Sequence, residues 1–418
     1  MNVLVLDGNQ NQAVACVRSL ALQGHAVFAG EVTSFSKAGW SRLCSGAFRY
    51  PAPSVDAAGF IAALLAQLHS INGALIDGAL INGALIIPCS DATTLLVSAH
   101  RDVLLAAGAR LVLPSHQDVL RALDKNATTL LAAHFGVPVP KTWTASREID
   151  VQHLAESVTY PVVLKPQRSE EFLLHSPLPA NTHSAGRPRY ASNAKQFLAA
   201  FPDVSSRTSS VLVQEFIPGT GTGYFALMCH GELRAEFAHR RIRDVHPAGS
   251  GSALRESMFP DSRVREAALA ILRALNWHGV AMVEFRVRKD GMPVFLEVNG
   301  RFWNSLPLAC YAGVNFPALL AQVAEHGDVA PVTGYRPGVR CRWLLGDFRH
   351  LLAVWRGPPP GYPERFPSRL RTLASFLIPV PGTYHDNFQL ADPLPELADW
   401  LSAVRRFRSG SLRNESDA

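Results

Sequence analysis

The segment VFLEVNGRFWNSLPLA, residues 294–309, carries an acid, an amide and a cation, Glu297, Asn299 and Arg301, each two residues from the last. Residues two apart on a strand share a face, so the three stand in file. A second acid, Glu284, lies in the apolar alternation VAMVEFRV just upstream, and Asp290-Gly291 separates the two runs. Asp-Gly between alternating apolar segments predicts a hairpin with a two-residue type I′ turn. The register that pairs Lys289 with Met292 also sets Glu284 directly opposite Glu297. It places Val283, Phe285, Val287, Val294, Leu296 and Val298 on the other, core-facing side.

Two carboxylates opposed on a largely buried sheet repel, and both are driven toward protonation unless a cation lies between them. Two acids and an amide, with no His or Cys nearby, form an all-oxygen donor set that selects a hard ion such as Mg2+. Such an ion ordinarily completes its shell with water and nucleotide phosphates, which points to ATP. Arg301 would then face a phosphate oxygen or charge developing in the transition state. The competing reading is an internal ion cluster, with Arg286 or Arg301 neutralising Glu284 and Glu297.

Other cations suit the same ligand. Lys165 ends the apolar strand PVVLK, where a lone charge is costly unless it meets an anion. Lys125, in LDKN at a helix start, suits phosphate or solvent equally. In VLVQEFIPG the strand runs through Gln214 and Glu215 into a Pro-Gly break. Backbone groups there, around Phe216 and Ile217, would hydrogen-bond a flat base between apolar walls, or simply turn.

These residues need a scaffold. Residues 2–7 and 25–30 read as strands around a helix at 13–23. The pattern continues with a helix at 57–68, a strand ALIIP, a helix at 93–107 and a strand ARLVLP. Such alternation predicts a parallel sheet covered on both faces. Only Gly8 follows the first strand, so a dinucleotide fingerprint is absent. Between the second helix and the third strand, INGALIDGALINGALI repeats a five-residue unit. That period fits neither helix nor strand, so it reads as a lengthened connection with one ALI copy in the strand slot. From about residue 116 the pattern becomes mixed strands and helices. Beyond 326 it is rich in Pro, Arg and Trp, with a helix expected at 394–404, an amphipathic RCRWLLGDFRHLL and a frayed end.

At 418 residues, 48% apolar and 18% charged, the chain is long enough for two or three packed domains. The divisions expected are 1–115, 116–326 and 327–418, an α/β unit followed by α+β architecture. The opening MNVLVLDG and the lack of a long apolar run predict neither export nor membrane spanning, hence a cytoplasmic protein. Six scattered cysteines without CxxC spacing fit reduced core thiols, and structural zinc is not expected. The net charge of +6 is spread over several segments without a Lys/Arg block, so a phosphate-bearing small molecule explains it and nucleic acid is not expected.

Taken together, Lys125, Lys165, the stretch Gln214-Glu215-Phe216-Ile217, Glu284 and Glu297-Val298-Asn299-Gly300-Arg301 resemble the ATP-grasp superfamily over residues 1 to about 345. The resemblance implies a pre-ATP-grasp α/β domain and a two-lobed ATP-grasp module with nucleotide between the lobes. A small irregular C-terminal extension follows. It implies that Lys125 and Lys165 hold phosphates and that Gln214, Glu215, Phe216 and Ile217 form the adenine hinge. Glu284, Glu297 and Asn299 would bind Mg2+, with Mn2+ as an alternative, and Arg301 would sit by the γ-phosphate. Two features depart from the pattern: residues 166–189 hold a single glycine where many members have a glycine-rich lid, and GTGTGY replaces an acidic ribose contact.

The activity implied is ATP-dependent ligation of a small-molecule carboxylate to an amine through an acylphosphate, releasing ADP and phosphate. Carboxyphosphate or carbamoyl-phosphate chemistry and a catalytically silent nucleotide-binding module are the alternatives. Arg241 and Arg255, in the basic stretch HRRIRDVHPAGSGSALRES, are the candidates for contacting the acyl donor. A homodimer is compatible with all of these.

Overall fold

The computed structural model describes residues 1–72, 83–146, 151–168, 170–172, 182–184, 188–249 and 251–408. Short Val/Leu/Ile runs open the chain as strands, and helices between them supply the crossovers. The elements are β1 (Asn2–Val5), α1 (Asn11–Leu22), β2 (Ala26–Glu31), β3 (Gly46–Arg49), α2 (Ala57–Asn72), β4 (Ala84–Ile87), α3 (Asp91–Ala99), α4 (Arg101–Ala106) and β5 (Ala109–Arg110). The strands form a parallel sheet in the order β3-β2-β1-β4-β5. Successive residues of β1 bury to opposite sides: Val3 and Val5 pack with Val14 and Val17 of α1, while Leu4 packs with Phe60 and Leu64 of α2. Both faces are therefore apolar, as a parallel sheet requires. The helix expected over 93–107 is two, broken at His100, and ARLVLP contributes only Ala109–Arg110 to the sheet. One ALI copy of the repeat is β4; residues 73–82 of the repeat lie outside the described residues.

Next come α5 (His116–Leu123) and α6 (Lys125–His134), then β6 (Thr142–Ala145), α7 (Val151–Ser157), β7 (Val162–Pro166), a small hairpin of β8 (Glu170–Phe172) and β9 (Thr182–Ser184), β10 (Arg189–Ala191), α8 (Ala194–Ser205) and β11 (Val211–Glu215). Strands β10-β7-β11-β6 form an antiparallel sheet backed by Phe197, Phe201 and Val204 of α8. Most of the segment between β8 and β10, where a glycine-rich lid would fall, lies outside the described residues.

The largest sheet is built from β12 (Thr220–Cys229), β13 (Glu232–Asp244), β14 (Ser252–Met258), β15 (Gly279–Val287) and β16 (Pro293–Asn299), with α9 (Ser262–Ala274) between β14 and β15. It continues after α10 (Leu306–Ala312) and α11 (Phe316–His326) with β17 (Arg340–Arg342). Then follow α12 (Leu344–Arg356), α13 (Arg369–Leu377), β18 (Thr383–His385) and α14 (Leu394–Arg408). The order is β16-β15-β12-β13-β14-β17-β18. One face, with Tyr224, Ala226, Val283 and Phe285, packs on Val264, Ala268 and Leu272 of α9. The other, with Phe225, Leu227, Phe237 and Met282, packs on α10, α11 and α1. The C-terminal region is more regular than its Pro/Arg content suggests, since it supplies two strands to this sheet and three helices. Among the described residues no single helix is long and apolar enough to cross a membrane.

The β15–β16 hairpin corrects the expected turn. Arg288 N donates to Met292 O at 3.0 Å, leaving Lys289, Asp290 and Gly291 as a three-residue loop with Gly291 at φ +78°, a connection that favours glycine at the left-handed position. The register is thereby shifted by one near the turn: Val287 pairs with Pro293, Arg286 with Val294 and Phe285 with Phe295. A bulge at Leu296 restores it, so that Glu284 pairs with Glu297, Val283 with Val298 and Met282 with Asn299. Phe295 therefore joins Phe285 in the core packed on α9, their ring centroids 6.0 Å apart edge to face, while Val294 is buried outside that cluster and Leu296 is only half-buried.

Candidate active site

Along the sheet face shared with Phe225 and Phe237, the apolar packing stops and a polar patch begins. Glu284 on β15 has Glu297 as its partner on one side and Gly223 of β12 on the other. Gly223 in turn pairs with His239 of β13. Two residues along, Gly221 pairs with Arg286, and Arg241 lies over it. A β-carbon at 223 would stand 2.6 Å from the Phe225 ring, and one at 221 only 3.4 Å from Arg241 Nη1. The two glycines thus make a floor without side chains between the glutamates and β13. This is a structural reason for GTGTGY that spacing alone does not reveal.

Four cations surround the glutamate pair. Arg241 Nη2 donates to Glu284 Oε1 at 3.0 Å, and Lys125 Nζ lies 3.7 Å from Glu297 Oε2. Asn299 Nδ2 donates to Glu297 Oε1 at 3.4 Å, and Arg301 Nη2 to Asn299 Oδ1 at 3.3 Å. Arg301 is also fixed from the N-terminal unit: its Nε donates to Asp91 Oδ1 at 2.9 Å, at the start of α3, whose first turn is capped by Ser90 and Thr93 in a reciprocal box. The glutamates are ion-paired directly with Arg241 and Lys125, while Arg301 of the ion-cluster reading acts on Glu297 from farther away and Arg286 turns instead to Ile217 O.

The environment of each group is uneven. Burial raises the Glu284 pKa above the usual carboxylate value; Arg241 opposes the shift and Glu297 adds to it. Burial acts in the same sense on Glu297, but Lys125, Lys165, Asn299 and Arg301 together outweigh it and hold that carboxyl below the usual value. Lys165, on β7 beside Leu212 of β11, is pushed down to about 8 by burial, with Lys125 adding to the fall and both glutamates opposing it. The cleft thus holds an amine that lacks sufficient compensation and a set of cations larger than the pair of acids. Both features match a polyanionic guest.

Lys125 and Lys165 meet because of residues not singled out from sequence. Asp124 caps α6, accepting from Asn126 N and Ala127 N at 3.1 and 3.0 Å. The same carboxylate accepts from Gln167 Nε2 at 2.8 Å and Arg168 Nη2 at 2.9 Å, tying the start of α6 to the end of β7. Forty residues of sequence separate the two lysines, so only tertiary contact could reveal this clasp.

The hinge stretch is more occupied than expected. Gln214 is buried and its Nε2 donates to Thr142 Oγ1 at 2.9 Å, which commits it to β6 rather than to a base. Glu215 is the last paired residue of β11, with its amide on Lys141 O at 2.9 Å. The Phe216 amide donates to Pro161 O at 3.0 Å, and Ile217 O accepts from Arg286 Nε at 3.1 Å. The ring of Phe216 stands edge-on to Tyr190 and Tyr362, with centroids 6.0 and 6.1 Å away, so the apolar wall includes a residue from the C-terminal region.

Of the basic stretch, only Arg241 reaches the glutamates. Arg240 pairs with Glu256, and Arg243 with Asp347 after a bulge that turns it off the Arg241 face. Arg255, expected at the substrate, is fully buried and paired with Asp386, with strands β12 and β13 between it and Glu284. It belongs to a buried polar network in which Arg18 binds Asp392 and Lys37 binds Asp399, joining α1 and the C-terminal segment to the sheet. His239, beyond Gly223, bonds Ser305 Oγ at 2.7 Å; burial, with Arg241 and Arg255 nearby, pushes its pKa well down and leaves the ring neutral.

An antiparallel sheet bearing Lys165 meets a larger sheet bearing the paired glutamates, the arrangement that the resemblance to the ATP-grasp superfamily implies. Residues 207–346 match the family model described as ATP-grasp in the biosynthetic pathway with Ter operon, so the chain carries an ATP-grasp segment. Over 192 residues it is 26% identical to the vancomycin/teicoplanin A-type resistance protein VanA of Enterococcus faecium, covering 42% of this chain and 52% of that protein. Over 239 residues it is 26% identical to the D-alanine–D-alanine ligase of Cupriavidus necator, covering 52% and 68%. The chain thus spans about half the length of the first of these and two thirds of the second. In fold it is similar to the biotin carboxylase domain of 2-oxoglutarate carboxylase from Hydrogenobacter thermophilus, solved as a dimer with MgADP, ADP and bicarbonate. That match has a TM-score of 0.62 at 13% identity and covers 81% of this chain and 73% of that one.

Proposed function

We propose that this chain is an ATP-dependent ligase that activates a small-molecule carboxylate as an acylphosphate and joins it to an amine. One observation carries the reading: two opposed glutamates and an asparagine, ringed by Lys125, Lys165, Arg241 and Arg301, over a floor of two glycines. In this reading Lys125 and Lys165 hold the phosphates, Glu215, Phe216 and Ile217 line the base, and Arg301 faces the γ-phosphate. Gln214 acts only by fixing β11 to β6. Arg241 orients the acyl donor. The all-oxygen set of Glu284, Glu297 and Asn299 fits Mg2+, and Mn2+ as its substitute; an ion there would offset charge on the phosphate oxygens.

A carboxylate oxygen attacks the γ-phosphorus, the bond to the bridging oxygen breaks, and ADP leaves. The amine nitrogen then attacks the acyl carbon, phosphate departs and the amine proton is lost. The cationic ring stabilises the leaving groups in both steps, and its fixed orientation limits the reorganisation required. The division into segments 1–115, 116–326 and 327–418 is part of the proposal, with the first supplying Asp91 to position Arg301. The D-alanine–D-alanine ligase relative supports carboxylate–amine chemistry.

The test is release of ADP and phosphate from Mg-ATP with pools of amino acids and small acids. Release that depends on both an acid and an amine supports the reading. AMP and pyrophosphate would exclude the acylphosphate, dependence on bicarbonate would move the assignment to carboxyphosphate chemistry, and nucleotide binding without turnover would favour a silent module.

A further inference from the structure

At the far end of β12 from the glycine floor, two turns dock against each other. His230 and Gly231 both have positive φ, +47° and +82°, and make the tight connection from β12 to β13. Gly231 N donates to Trp277 O at 2.9 Å, fixing this turn on the loop between α9 and β15. The docking stacks the rings of His230 and His278 with centroids 4.2 Å apart and planes within 12°. Cys229, the last residue of β12, is buried beside them, and one ligand atom from each of the three residues lies within 4.8 Å of the others. Nδ1 of His278 is buried with no hydrogen-bond partner among the described residues. A buried polar atom left in that state needs an explanation, and a bound ion is one that its two neighbours can share.

We infer that Cys229, His230 and His278 form a binding site for a borderline first-row divalent cation, of which zinc is the natural choice. One sulfur and two imidazole nitrogens suit such an ion and disfavour Mg2+, so the site is chemically separate from the glutamate pair. Bond lengths of about 2.0–2.3 Å place tetrahedral ligand atoms about 3.5 Å apart, so binding draws the three together by roughly 1 Å. The exposed His230 ring, at the turn, supplies that movement by turning out of the stack, so that its in-plane lone pair and that of His278 converge on the ion. Asp328 lies beside the Cys229 thiol, but Arg234 holds both its oxygens at 2.6 and 2.8 Å, which leaves the fourth position to water. Binding transfers the thiol proton to solvent as the metal–sulfur bond forms, with no change of oxidation state. The ion would staple the start of β15, which carries Glu284, to the end of β12, which carries the glycine floor. Scattered cysteines conceal such a site, because its histidines are brought in by two separate turns.

The test uses the full chain, free of any affinity tag and stripped by chelator, titrated with Zn2+ alone by calorimetry and with Co2+ by absorption. One equivalent should bind, Co2+ should show a thiolate-to-metal charge-transfer band, and excess Mg2+ should not compete. Cys229→Ser should abolish the band. His230→Gly, which keeps the left-handed backbone at an exposed position, should weaken zinc binding at least tenfold while the variant stays folded. Absence of stoichiometric binding by the unaltered chain, or binding unchanged in both variants, would overturn the assignment.

Discussion

Lys165 links the geometry of the cleft to a measurable proton. Burial lowers its pKa from 10.5 to about 8. At about 1.4 kcal/mol per unit, holding the buried ammonium charged costs about 3 kcal/mol. The unfolded chain therefore binds more protons between about pH 8 and 10.5, and this residue makes folding more favourable as pH rises through that window. A phosphate beside the amine reverses the penalty. If binding restores the ordinary value, about 0.1 proton is taken up per nucleotide near pH 7, about 0.5 near pH 8 and about 0.9 near pH 9. Affinity should accordingly fall about tenfold from pH 7 to pH 9. Calorimetric titration with ADP in pairs of buffers of different ionisation enthalpy measures the uptake directly. Lys165→Met should remove the uptake and flatten the pH dependence. Nucleotide binding without proton uptake near pH 8.5, or the same uptake in Lys165→Met, would refute the placement of phosphate against this lysine.

Three further outcomes follow from particular contacts. Gly223→Ala puts a β-carbon 2.6 Å from the Phe225 ring, and forcing that ring aside should lower stability by about 1–3 kcal/mol, read by denaturant unfolding. Arg255→Met strands the buried Asp386 carboxylate and should cost about 3–5 kcal/mol in the same assay without a selective loss of nucleotide affinity, since Arg255 supports the fold rather than the site. Asp91→Ala releases Arg301 from its 2.9 Å partner and should reduce turnover about 10- to 100-fold with little change in melting temperature, as loss of an outer-sphere positioning group does.

The facing of the two glutamates was legible because it lay within one hairpin, though for a reason that spacing alone conceals. The expected two-residue turn is a three-residue one, and the slip this introduces is cancelled by the bulge at Leu296, so Glu284 still faces Glu297. The intervening residues record the slip: Phe295 joins Phe285 in the cluster packed on α9, on the side where Val294 and Leu296 were expected. The parallel N-terminal sheet was legible because strands buried on both faces read as continuous apolar runs. Contacts between distant segments were not. The clasp of Asp124 with Gln167 and Arg168, the tie from Asp91 to Arg301 and the pair Arg255–Asp386 join residues 43 to 210 positions apart, and no local periodicity marks them. Arg255 looked like a substrate contact because basic residues in a glycine-punctuated loop imply an anion. The anion it meets is Asp386, from the C-terminal segment.

The central claim is that Glu284 and Glu297 jointly hold a divalent ion against the nucleotide. Retention of Mn2+ in the presence of a non-hydrolysable ATP analogue, followed by electron paramagnetic resonance, tests it most directly. The unaltered chain should retain at least one ion per molecule, and Glu284→Gln and Glu297→Gln should each weaken retention by at least about tenfold. Equal retention in all three proteins would contradict the account.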